Sequence, residues 1–164
     1  MRELTQEHLS GYAFSVFYTV GDRPDFEYLF PRILELATQD SDFGIDREIV
    51  FKRPGLAGWP AWRNDRRQAF QSYLDAVIAS FGDHPWTDES ELDSYVCSLG
   101  FCVDDLAPRL NVFLRDTPTA AANLILFYEA NSRELPKRRL SNAYREKDQP
   151  NKEQVIARVE QQAV

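Results

Sequence analysis

The chain has 164 residues, 43% hydrophobic and 13% aromatic, which excludes wholesale disorder and suits one domain able to bury roughly 70% of its unfolded surface. Its 26 acids against 19 bases give a net charge of −7 and a pI near 4.9. This argues against nucleic acid as the main partner, because phosphate neutralisation needs clustered Lys and Arg.

The opening MRELTQEHLSGYAF carries acids where a signal peptide would have a basic end and an apolar block, so a cytoplasmic protein is expected. Apolar residues then recur at spacings of three and four, the period of helices. A first helix is predicted over 5–19, capped by Thr5, with Leu9, Ala13, Phe14, Val16, Phe17 and Val20 turned inward. The GDRPDF turn ends it, and DFEYLFPRILELATQ follows, apolar at Phe26, Leu29, Phe30, Ile33, Leu34 and Leu36. Pro31 in its middle predicts a kink or a break. A short helix over 46–52 is stopped by Pro54 and Gly55.

After the loop RPGLAGWPAW, a long amphipathic helix is predicted from 61 or 64 to 81. It buries Phe70, Tyr73, Leu74, Val77, Ile78 and Phe81, and Gly82 ends it. Asp88 or Thr87 caps the next helix, whose inner side is Leu92, Tyr95, Val96 and Leu99. Helices over 105–115, 118–132 and 151–162 complete the chain, with a short one around 139–145. No apolar run approaches the roughly 20 residues a membrane span needs, so no membrane partner is expected. The predicted class is all-α: a single domain over 1–164 of eight or nine helices, either an irregular bundle or a short stack of helical hairpins in the HEAT manner.

Charge is unevenly placed. Between 68 and 108 there are eight acids (Asp75, Asp83, Asp88, Glu89, Glu91, Asp93, Asp104, Asp105) and no lysine or arginine; the remaining eighteen acids and nineteen bases nearly cancel. A helix start attracts acids through its macrodipole, by about 0.3–1 kcal/mol each, and that accounts for two or three near Asp88. It does not account for forty-one residues without a base. If the two helices flanking the turn pack side by side, the carboxylates converge at one end of the pair. A field of one sign speeds encounter with a basic partner and rejects acidic ones.

Other constellations carry less. DESELD lacks the central glycine of a calcium loop. Cys97 and Cys102 are not spaced as a structural zinc pair, the chain holds only two histidines, and two buried thiols are the plainer reading. No nucleophile elbow, P-loop, dinucleotide fingerprint or HExxH motif occurs, so no enzyme, cofactor or metal is expected. The basic segment KRRLSNAYREK, 137–147, is expected to pair with the protein's own acids or to solvate a helix. Trp59 and Trp62 are expected to plug a gap between helical layers, with a concave partner surface as the alternative.

YAFSVFYTVGDRPDFEYLFPRILELA, Tyr12 to Ala37, resembles the amino-terminal part of a family of small bacterial proteins without an assigned activity. LSNAY, Leu140 to Tyr144, is similar to that family's C-terminal motif, and GLAGWPAW to its Trp-Pro placement before the central helix. Together these cover about a third of the chain, which departs from the pattern at Arg145. The resemblance implies a bacterial, cytosolic, helical and repeat-like protein and transfers no catalytic residue.

Small acidic helical proteins of this kind resemble immunity proteins, which occlude a toxin's active site. The expected partner is therefore a basic protein, a cognate toxin domain. The expected contact residues are Asp83, Asp88, Glu89, Glu91, Asp93, Asp104 and Asp105, with Trp86 and Tyr95 as apolar anchors. The alternative is a helical scaffold binding a cellular protein near Trp59 and Trp62, and a third reading is a metal- or nucleotide-dependent enzyme.

Overall fold

The structure is a computed structural model that describes residues 4–39, 43–145 and 151–160. It is all-α: the described residues form seven α-helices and four short 3₁₀ helices, and the sole β-type pairing among them is an isolated bridge between Val16 and Val20. The chain divides into two compact units, Met1–Trp62 and Arg63–Val164.

The first unit contains α1 (Gln6–Ser15), α2 (Arg23–Gln39), α3 (Arg47–Leu56) and a 3₁₀ turn, Trp59–Ala61. Thr5 caps α1 as expected, its hydroxyl accepting from the His8 amide. The helix stops at Ser15, four residues early, because Phe17 takes a left-handed backbone (φ 69°) and its N–H turns to the Val20 carbonyl. The ring of Phe17 meets Phe26 edge-on at 5.1 Å, a contact that offsets the cost of that backbone. The early stop leaves Phe14 and Val20 exposed, where the sequence pattern placed them inside.

Helix α2 runs through Pro31 without the expected break. A mid-helix proline costs about 3 kcal/mol, and the burial of Phe26, Phe30, Ile33, Leu34 and Leu36 on one face outweighs it. Likewise α3 continues past Pro54 to Leu56. Arg53, almost fully buried, donates to the carbonyls of Ala13 and Phe14 and lies 4.6 Å from the ring centre of Tyr18. It thus satisfies carbonyls that the last turn of α1 leaves without helical partners.

The second unit is built on α4 (Asn64–Asp83), α5 (Glu89–Leu99), a 3₁₀ helix at Arg109–Leu114, α6 (Pro118–Asn131) and α7 (Lys152–Glu160), with short 3₁₀ turns at Leu135–Lys137 and Ala143–Arg145. Helix α6 is central: α4, α5 and the Arg109–Leu114 segment all pack on it. Phe81, Phe113 and Phe127 stack through this core, with ring centres 5.3 and 6.0 Å apart. The predicted helix over 105–115 is reduced to the 3₁₀ segment, and the one around 139–145 to the 3₁₀ turn Ala143–Arg145. Residues 161 and 162 of the last predicted helix lie outside the described residues.

Three buried asparagines join these elements. Asn123 donates to the carbonyls of Phe81 and His84 and accepts from the Trp86 amide. Asn131 donates to Asp93 and to the Phe127 carbonyl, and accepts from the Ser141 amide. Asn151 donates to the carbonyls of Gly100 and Val103. Each ties a non-helical stretch of backbone to a neighbouring element, satisfying polar groups that burial would otherwise penalise.

Candidate partner-binding surface

The acidic stretch divides by position and by partner. Asp88 is the N-cap of α5, and its carboxylate accepts from the amides of Ser90 and Glu91 at 2.8 and 2.9 Å. Glu89 and Glu91 occupy the first turn, and both are exposed. Asp83 closes α4 five residues earlier and is also exposed, but Arg115 donates to both of its carboxylate oxygens at 2.8 Å. Asp75 is paired too, one of its oxygens accepting from Arg109 at 2.6 Å. Both arginines lie just downstream of the base-free stretch, so folding brings back charges that its sequence lacks.

The expected convergence at one end does not occur. α5 packs chiefly on α6, and α4 on the Arg109–Leu114 segment and α6, rather than the two helices on each other. Asp104 and Asp105 are exposed but follow the C-terminal end of α5, whose eleven residues separate them from Asp88 by roughly 16 Å of helix. Asp105 borders an open groove of about 450 Å³ with Ala107, Asn111, Gln154 and Arg158. Two polar side chains of that groove are engaged: the Gln154 carbonyl accepts from the amides of Leu106 and Ala107, and Arg158 donates to Asn111.

Two of the expected contact residues lie beneath the surface. Asp93 is 4% exposed and bonded to Asn131, and Tyr95 is 7% exposed. Trp86 is half-buried; its ring touches Phe81, His84 and Tyr95 at centroid distances of 6.1, 5.8 and 5.1 Å. Its indole N–H has no hydrogen-bond partner among the described residues. Trp86 therefore supports the turn from within. What remains at the surface around this turn is Asp83 with its arginine, Asp88, Glu89 and Glu91.

The turn itself is held by Asn123, through three hydrogen bonds at 2.8, 2.8 and 3.0 Å. Sequence reasoning passed over this residue. The signal was present: Ala120, Asn123, Phe127 and Asn131 fall on one stripe of α6, and a polar side chain on a buried stripe needs partners from another element.

The other candidates also resolve. Trp62 is buried against Phe26 and Phe30, and its indole N–H donates to the Ala57 carbonyl, so it belongs to the core of the first unit. Trp59 is half-buried in the adjacent 3₁₀ turn. Cys97 and Cys102 are buried thiols, and burial pushes the Cys102 thiol far up from its ordinary range. In the basic segment, Lys137 and Arg139 pair with Glu134, and Arg138 with Glu153 and Glu160 of α7. Glu134 is accordingly held below the usual carboxylate range by the Lys137 hydrogen bond. Residues 146 and 147 of that segment lie outside the described residues.

Among the described residues no three His, Cys, Asp or Glu side chains are grouped to hold a metal ion. No helix among them is long and apolar enough to cross a membrane. Comparison with protein-family models, with characterised proteins and with solved structures finds no match to this chain.

Proposed function

We propose that this protein binds a basic protein surface through the acidic end made by Asp88, Glu89 and Glu91, and that it is an immunity protein whose partner is a cognate bacterial toxin. The observation that carries the reading is a set of exposed carboxylates on a turn already fixed in place. Asn123 bonds the turn at three points, so little conformational freedom is lost when a partner docks. Asp83 and its arginine form the rim. Inhibition would be steric occlusion aided by charge complementarity, without a cofactor, and acids at the contact would raise the association rate at low salt.

The test is affinity capture from bacterial cells, comparing wild type with Glu89→Lys/Glu91→Lys. Asp88→Asn is the gentler companion, because asparagine keeps the helix cap while removing the charge. A basic protein recovered by wild type and lost with the double lysine variant is the expected result. Equal recovery by both, or no protein recovered by either, would remove the acidic turn as a binding surface.

A further inference from the structure

We infer that the outer face of α6 is a self-association surface, on which a second copy of this chain docks antiparallel. α6 is apolar nearly all round, with Glu129 its sole charged residue. Its inner stripe, Ala120, Asn123, Phe127 and Asn131, is buried in the second unit. The outer stripe remains exposed: Ala121, Ala122, Ile125 (59%) and Tyr128 (41%). A helix without a polar face is ordinarily covered on both sides.

The occupant is read from the symmetry of the face. In a two-fold antiparallel pair, residue i meets residue j of the other copy, and j meets i. Asp116 and Arg133 stand just beyond the two ends of α6, both exposed and neither with an ion-pair partner among the described residues. Their midpoint falls between Leu124 and Ile125. Ala121 and Tyr128 share that midpoint, as do Ala120 and Glu129. An axis there places Asp116 of each copy opposite Arg133 of the other, roughly 26 Å of chain apart at helical rise. It sets the small Ala121 against the large Tyr128, which lets the two helix axes approach closely. Each Glu129 reaches the first turn of the opposing helix, where the helix dipole favours an acid. Ile125 meets its own counterpart near the axis. Charge, size and helix dipole are thus all self-complementary about one point.

A contact through one helix per copy is smaller than the interfaces of stable complexes, so a dissociation constant on the order of tens of micromolar is expected. Sedimentation of the full chain from roughly 5 to roughly 500 µM tests it. The expected result is a monomer–dimer equilibrium for wild type, weakened at least about tenfold by Ile125→Lys, which puts two like charges at the axis. Asp116→Arg and Arg133→Asp should each weaken association. Mixed in equal amounts they should restore it, because the two variants are charge-complementary at both ends of the pair. All of these side chains are exposed, so circular dichroism and thermal melting should be unchanged, which separates lost association from lost folding. A wild type that stays monomeric throughout, a mixture no stronger than its components, or indifference to Ile125→Lys would each overturn the proposal.

Discussion

The side-chain amide of Asn131 donates to a carboxyl oxygen of Asp93 at 3.0 Å, and both side chains are buried where α6 packs on α5. The same asparagine holds the Ser141 amide at 2.9 Å, so one residue of α6 fixes both a polar group of α5 and the entry to the C-terminal segment. Asn131→Ala removes these bonds together and takes a hydrogen bond from a buried carboxyl. A loss of about 2–4 kcal/mol in unfolding free energy is expected by urea titration. Asp93→Ala with Asn131→Leu, which removes both polar side chains, should cost less than Asn131→Ala alone if the buried carboxyl's lost bond is the main penalty.

Asn123→Ala addresses the turn between α4 and α5. Three backbone groups, at Phe81, His84 and Trp86, lose their partner, and a fall of about 2–4 kcal/mol is expected. Trp86 reports the change directly, since its ring depends on that turn for its contacts with Phe81 and Tyr95. A red shift of its emission below the unfolding midpoint is the expected signature.

In the first unit, the hydroxyl of Tyr12 is buried without a hydrogen-bond partner among the described residues. Tyr12→Phe should therefore be neutral or stabilising by up to about 1 kcal/mol. Burial, then Asp25 and Asp22, raise the phenol above its ordinary value of 10.0. The unfolded chain then releases this proton first, so the folded state's advantage is full below pH 10 and falls as the pH rises through the folded value. Tyr12→Phe should flatten that alkaline decline in a pH series of melting temperatures. Gly21→Ala should destabilise: its backbone has φ +71°, and a Cβ there would stand 2.7 Å from the Tyr12 oxygen.

Arg53 is expected to resist conservative replacement. Its guanidinium reaches two carbonyls of α1, while its charge is almost wholly removed from solvent. A lysine offers a point charge without the fork and cannot reproduce both bonds with the ring contact to Tyr18. Arg53→Lys should lose about 2 kcal/mol, and Arg53→Ala more, measured by denaturant titration.

The two thiols should be silent in the folded protein. Cys102 is buried, and its thiolate is disfavoured by that burial. Iodoacetamide at pH 8 should label neither cysteine at an appreciable rate until urea is added, by mass spectrometry. Fast labelling of the native protein would show that this region opens locally.

Local signals were read well from the sequence. Thr5 and Asp88 cap their helices, and Leu92, Tyr95, Val96 and Leu99 form the inner side of α5, because capping and a period near 3.6 act within a few residues. The errors came from elsewhere in the chain. The acidic neighbours of Asp93 place it at the surface, yet the buried face of α5 is wide enough to enclose it, and one of the groups that receives it there, Asn131, lies thirty-eight residues on. Phe14 and Val20 were placed inside by periodicity, which could not register that Phe17 ends the helix between them. The acidic window was counted along the sequence, where Arg109 and Arg115 fall outside it.

Those two arginines also carry a consequence for the conformation of the segment that bears them. Asp75 and Asp83 are eight residues apart on an α-helix, a climb of roughly 12 Å. Arg109 and Arg115 are six apart, and at the 3₁₀ rise of about 2.0 Å they also climb roughly 12 Å. Wound as an α-helix, the same six residues would advance about 9 Å, leaving the arginines about 3 Å out of step with the carboxylates. The two segments run parallel like rulers graduated in different units, and their marks coincide only while the second stays tightly wound.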